Sequence, residues 1–341
     1  MTGTLTLKNI QALRFFAAVL VFIQHAYFFS SQVGGDQAME FRKLNIGGLG
    51  VYIFFIISGF VMALQTEKPP ATFASHRLGR IYPGYFLALI ASTLIFFLFS
   101  SYSPSFTGIA SLLLFPTGTL NSSFQVPYWT LIYEMTFYAL LLILMFLTRA
   151  RRALIDSALL LWLVAIFIAN HCGVKVNLIS PNVTSIFMST LNIYFITGFF
   201  LARFCLSDNQ VARLTFLLIA LELVFNAELR YALSVAVLGA LAIVLIMQLK
   251  PLPDFSNALG NYSYGIYLLH LPIIFCLYLA LRSANAGFAT SLILMVVVAL
   301  PVSIAFGKFE YWLYQNKIRP AADRFLSPKT AQQLSQPLEQ P

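Results

Sequence analysis

Ten apolar stretches, each about 17 to 25 residues long, occupy most of the chain and leave only short polar connections between them. They fall near 10–30, 46–65, 81–101, 128–148, 153–170, 184–205, 211–227, 231–249, 260–281 and 288–312. A helix needs about 20 residues to cross a hydrocarbon layer roughly 30 Å thick. Of 341 residues, 59% are hydrophobic and 10% charged, whereas a soluble domain carries roughly 25% charged residues. No aqueous fold of this length hides so much apolar surface, so the solvent for most of it is lipid. The expected fold is all-α: a polytopic transmembrane helical bundle of about ten spans, one membrane domain over 1–320, then a polar, mobile tail over 321–341. The segment 108–115 is apolar but too short to cross, so it lies at the interface or re-enters.

The formal charge is +9, but the basic residues sit in short clusters between spans and form no continuous face, which excludes nucleic acid as a partner. With the N-terminus placed in the cytoplasm, one side collects Lys8, Lys68, Arg77, Arg80, Arg149, Arg151, Arg152, Arg203, Arg213 and Lys250, plus Lys308 and the basic residues after it. The other side keeps Arg42, Lys43, Lys175, Arg230 and Arg282. This bias, with an even span count, places both termini inside. Cys172, Cys205 and Cys276 are far apart and odd in number, so they make neither a metal spacing nor a disulfide framework, and no metal site is expected. The N-terminal span, interrupted by Arg14, reads as retained, not as a cleaved signal.

A titratable group inside a span is costly unless it is paired or faces water, so each one is a functional candidate. These are Arg14, His25, Glu134, Glu222 and His270, with Glu310 near a helix end. Arg14 and His25 lie eleven residues apart, which puts both on one face of the first helix, about 16 Å apart along it. The bland alternative is an arginine snorkelling to headgroups and a histidine bonded to a carbonyl. Glu134, about 9 Å below the outer boundary of its span, shares the depth of His25 and suits an orienting partner for the imidazole. It equally suits pairing with an arginine, or a protonated acid. His270, beside Pro272, reads more readily as a satisfied structural histidine. Arg77 and Arg80 flank a basic turn before the third span. If a helix begins near Arg80, its amides would add to an anion grip; topology alone also explains arginines there.

Taken together, five segments resemble the integral-membrane acyltransferase family three, whose bacterial members O-acetylate surface and exported polysaccharides. They are Lys8-Asn-Ile-Gln-Ala-Leu-Arg14 followed by His25; Gly50-Val-Tyr-Ile-Phe-Phe-Ile-Ile-Ser58-Gly59-Phe; Arg77-x-x-Arg80; Trp129-Thr-Leu-Ile-Tyr-Glu134, with Thr130 where serine is common; and Tyr262-Ser-Tyr-Gly-Ile-Tyr-Leu-Leu-His270. The resemblance covers roughly residues 7–320, and its opening looks most like exopolysaccharide-acetylating members. It implies a bacterial inner-membrane O-acetyltransferase with acetyl-CoA as cytoplasmic acyl donor and no permanently bound cofactor. The acceptor would be a hydroxyl of a polymeric glycan or lipid-linked oligosaccharide, with polysaccharide-assembly proteins as partners. Joined to the residue reading, it assigns Arg77 and Arg80 to the donor's phosphates and Arg14 to donor positioning. His25 becomes the general base, oriented by Glu134. The rivals are a proton-coupled transporter or flippase of a lipid-linked glycan, using Arg14, His25 and Glu134 as a relay, and a non-catalytic scaffold.

Overall fold

A computed structural model of the protein describes residues 7–34, 45–99, 108–119, 128–207 and 209–326. Within them the regular structure is helical, apart from one antiparallel bridge between Thr117 and Asn182 that ties two loops. The helices run Ile10–Gly34 (α1), Ile46–Gln65 (α2), Pro70–Phe99 (α3), the single turn Ile109–Leu112 (α4), Trp129–Leu147 (α5), Arg152–His171 (α6), Leu191–Ser207 (α7), Gln210–Phe225 (α8), Arg230–Gln248 (α9) and Asp254–Ser283 (α10). The last, Phe288–Arg324 (α11), is continuous through two π-helical turns, Met295–Ala299 and Tyr314–Ile318. Among the described residues, eight helices are long and apolar enough to cross a membrane; α7 and α8 occupy two further expected spans but reach only 17 and 16 residues. The segment around 108–115, expected to be too short to cross, holds the one-turn α4.

Two boundaries differ from expectation. The third span was placed from 81, yet α3 starts at Pro70. A proline fits the first helical position, where its missing N–H is no loss, and Pro83 within the helix does not break it. Arg77 and Arg80 therefore lie inside α3, and no free helix-start amides sit at Arg80. At the other end, residues 321–324, assigned to the tail, still belong to α11; residues 327–341 lie outside the described residues.

Side chains with apolar surface turn both ways, as a lipid solvent permits. Phe97, Phe99, Leu161 and Phe225 are fully presented to the outside, while Phe22, Phe60, Phe137 and Phe195 fill the interior. Helix α10 is the axis of the bundle, packed between α1, α3 and α11. The tightest crossing is between α2 and α7. A Cβ on Gly59 would overlap the Phe195 carbonyl, and one on Gly198 would overlap the Ile56 carbonyl, so each helix needs glycine for the other's backbone to approach.

One end of the bundle, here termed basal, is fixed by polar clips. Asn9 is fully buried; its Nδ2 donates to the carbonyls of Ile246, Leu249 and Lys250 at 3.0–3.2 Å, and its Oδ1 accepts from the Leu252 amide at 3.0 Å. The asparagine thus staples the start of α1 to the turn between α9 and α10. His76 meets Asp323 at 2.7 Å, joining α3 to the end of α11. Arg203 of α7, 4% exposed, pairs with the fully buried Asp156 of α6 at 3.3 Å and donates to Thr66 at 3.0 Å. Asn209 donates to the other Asp156 oxygen at 2.5 Å. Every charge in this cluster has its partner, as a dry interior requires.

Removing one member of that buried pair strands the other. Asp156→Ala is expected to destabilise the bundle by about 3–5 kcal/mol, read as a lowered unfolding midpoint in detergent; an unchanged midpoint would show that Arg203 finds another partner.

Candidate active site

Two cavities lie end to end inside the bundle. The basal one, about 320 Å³, draws Gln11 and Arg14 from α1, Ser58 from α2, Arg77 and Arg80 from α3, Thr130, Glu134 and Tyr138 from α5, Asn261, Tyr264 and Tyr267 from α10, and Tyr311, Tyr314 and Gln315 from α11. The other, termed apical and about 260 Å³, is lined by Gln24, His25, Asn45, Tyr52, Trp129, Leu178 and Ile179 among others. Val51 and Tyr267 line both. The Tyr267 hydroxyl and the Thr130 hydroxyl are hydrogen-bonded at 2.8 Å, and the Tyr267 ring meets Phe54 edge-on. A partition about one side chain thick therefore separates the two spaces.

The basal cavity is a cationic pocket with incomplete compensation. Arg80 is ion-paired to the buried Glu310 at 2.5 Å, and its guanidinium lies 4.6 Å from the Tyr264 ring centre and 5.1 Å from that of Tyr314. Arg77 stands 5.9 Å from the Tyr138 ring centre, and its buried Nε meets no hydrogen-bond acceptor among the described residues. Arg14 has a long 3.4 Å contact to Gln11. Three guanidiniums thus face two carboxylates, Glu134 and Glu310. Positive charge extends to the basal rim, where burial and the neighbouring Arg77 and Arg319 push the Lys68 ammonium below its ordinary pKa. Such a pocket invites an anion with several acceptor oxygens.

Glu134 lies in this basal group. It accepts from Ser58 at 3.0 Å and from Tyr138, one helical turn away, and Ser58 and Tyr138 share a 3.1 Å bond. The expected contact between Glu134 and His25 is not the one the structure makes. The start of α5 does not mark the membrane boundary: Trp129, its first residue, already lines the His25 cavity. Five residues further on, Glu134 lies about 7.5 Å deeper. His25 instead pairs with His270: Nδ1 of the former and Nε2 of the latter are 3.0 Å apart. Arg14 and His25 share a face of α1, as their spacing required, but open into different cavities.

Tyr138 and Tyr267 are not among the candidates the sequence singles out, and Glu310 is singled out there without its partner Arg80. Tyr138 was legible, at the i+4 position from Glu134; the contacts of Glu310 and Tyr267 cross 230 and 137 residues and carry no local signal.

A family model described as an acyltransferase domain matches residues 7–308, nearly the whole described bundle. The chain belongs to this acyltransferase family. It is a multi-pass membrane acyltransferase, which displaces the transporter and scaffold readings. Among curated relatives, the acyltransferase MdmB of Streptomyces mycarofaciens is 33% identical over 148 residues, 39% of this chain and 37% of that protein. The exopolysaccharide production protein ExoZ of Rhizobium meliloti (strain 1021) is 27% identical over 252 residues, 67% of this chain and 77% of that protein. No solved structure matches.

The partition makes a topological prediction. After replacement of the three native cysteines, Gln315→Cys should react with a membrane-impermeant maleimide from one side of the membrane and Gln24→Cys from the opposite side. Labelling of both from one side would contradict two separately opening cavities.

Proposed function

We propose that this enzyme moves an acetyl or other short acyl group from acyl-CoA to a hydroxyl of an exported or surface polysaccharide, or of its lipid-linked precursor. The single observation that carries the reading is the end-to-end arrangement of an arginine-lined cavity and a histidine-lined one, divided by a thin tyrosine partition. The Lys/Arg bias supports a basal cavity open to the cytoplasm of a bacterial inner membrane, where acyl-CoA resides. The likeness to ExoZ, an exopolysaccharide production protein, supports a polysaccharide acceptor.

In this reading the CoA phosphates meet Arg77 and Arg14, while Glu310 holds Arg80 as part of the cationic wall. Glu134, gripped by Ser58 and Tyr138, limits the net charge of the pocket and keeps Arg14 oriented. The pantetheine arm carries the thioester past Tyr267 towards His25. The acceptor sugar enters from the apical side, where Trp129 and Tyr52 offer aromatic faces and Gln24 and Asn45 offer amides. As the acceptor oxygen attacks the thioester carbonyl, His25 takes its proton. The C–S bond then breaks, and the same proton passes to the leaving thiolate. O–H and C–S are broken, C–O and S–H are made, and His25 returns to its starting state.

Membranes given labelled acetyl-CoA and purified glycan test this directly. His25→Ala should lower label transfer by about 10²-fold or more at unchanged protein level; undiminished transfer removes His25 from the reaction. Arg77→Ala should act mainly on the apparent KM for the CoA ester. Glu134→Gln should do the same. A Glu134→Gln variant that lost kcat with KM intact would return that carboxylate to the proton-transfer step.

A further inference from the structure

His270 is 1% exposed and lines neither cavity, so no substrate touches it. Both of its ring nitrogens are nevertheless engaged. Nδ1 lies 3.1 Å from the carbonyl oxygen of Ile266, one turn back along α10, and Nε2 lies 3.0 Å from Nδ1 of His25. A carbonyl oxygen only accepts, so the proton of His270 sits on Nδ1 and is donated to it. A neutral imidazole carries one N–H, which makes His270 Nε2 an acceptor. The nitrogen facing it, His25 Nδ1, then supplies the hydrogen. That leaves the lone pair of His25 on Nε2, at the ring edge turned away from His270.

We infer that His270 is a positioning residue for this acyltransferase: through the chain Ile266 carbonyl, His270, His25, it holds the catalytic imidazole in the Nδ1–H tautomer with Nε2 free to receive the acceptor's proton. The inference rests on His25 acting as general base. The Val21 carbonyl one turn back along α1 also accepts from the His25 ring, so His270 shares the hold on the imidazole; a histidine that loses the stronger partner shifts towards the proton on Nε2, and would then present an N–H to the acceptor hydroxyl where a lone pair is needed. The pair is clamped between α1 and α10, with the Phe22 and Tyr267 ring centres 6.2 and 6.0 Å from that of His270. An apolar side chain at 270 would fill the same space but offer no acceptor. When His25 takes the acceptor proton on Nε2, its Nδ1–H bond to His270 persists, and the proton on Nε2 is the one passed to the departing sulfur, which restores neutral His25.

The test uses the full chain in lipid nanodiscs with ¹⁵N-labelled histidine; there are four histidines to assign. The wild-type spectrum should show His25 protonated at Nδ1 and bare at Nε2. His25 protonated at Nε2 would overturn the inference without recourse to any variant. His270→Leu should convert His25 to the Nε2–H form and lower kcat by about tenfold or more, with the KM for acetyl-CoA within about twofold. His270→Gln, whose side-chain carbonyl can accept from His25 Nδ1–H, should recover most of that loss. Equal turnover in the Leu and Gln variants assigns His270 to packing alone and sinks the proposal. The two levels separate cleanly. Full turnover in His25→Ala defeats the general-base reading itself, whereas an inactive His25→Ala beside a fully active His270→Leu defeats only the role of His270.

Discussion

A guanidinium inside hydrocarbon is tolerated only where it meets a counter-charge or water, and this bundle treats its arginines in two different ways. Arg203 is saturated by Asp156 and Thr66, in a cluster that also satisfies Asn209, and it serves as a dry clip between helices. Arg14 and Arg77 are left with unfilled donors around a cavity. Arg80 stands between these cases, balanced by Glu310 yet still part of the wall. The same residue type therefore reads as scaffold or as binding surface according to how completely its hydrogen-bonding capacity is met.

The rigid parts of the molecule surround the pocket at specific points. Glycines at the crossing of α2 and α7 bring two backbones together and set the wall that carries Ser58. Asn9 fixes the start of α1, five residues before Arg14, to the α9–α10 turn. Tyrosines do the remaining work of lining. Tyr138 and Tyr264 present rings to arginines and hydroxyls to oxygen acceptors, Tyr314 adds a ring against Arg80, and Tyr267 bonds the Thr130 hydroxyl, a combination that suits a passage neither fully wet nor fully apolar.

The bundle architecture was legible because hydrocarbon thickness imposes a length on each apolar run, and all ten runs fall on helices. The start of α3 was not, because its first turns carry His76, Arg77 and Arg80 and so lack the apolar signature of a span; the polar turns belong to the helix since they line a cavity. Glu134 stands out in the sequence as a carboxylate within an apolar run, but its partners are Ser58 and Tyr138 and not His25, because Trp129 at the start of α5 is already level with the His25 cavity. Arg14 and His25 on one face came straight from helical periodicity. The contacts of His270 and Glu310 join segments more than 200 residues apart, and no local pattern encodes such pairings.

A tunnel filled with water from face to face would let ions run down the membrane potential and dissipate the energy the cell stores there. The hydroxyl pair of Tyr267 and Thr130, with Val51 and Phe54 beside it, stands where the two cavities meet and interrupts such a column there. Under the proposed function, a slender thioester arm would displace a single hydrogen bond and plug the opening with its own bulk, so that an acyl group would cross while the bilayer stayed electrically sealed.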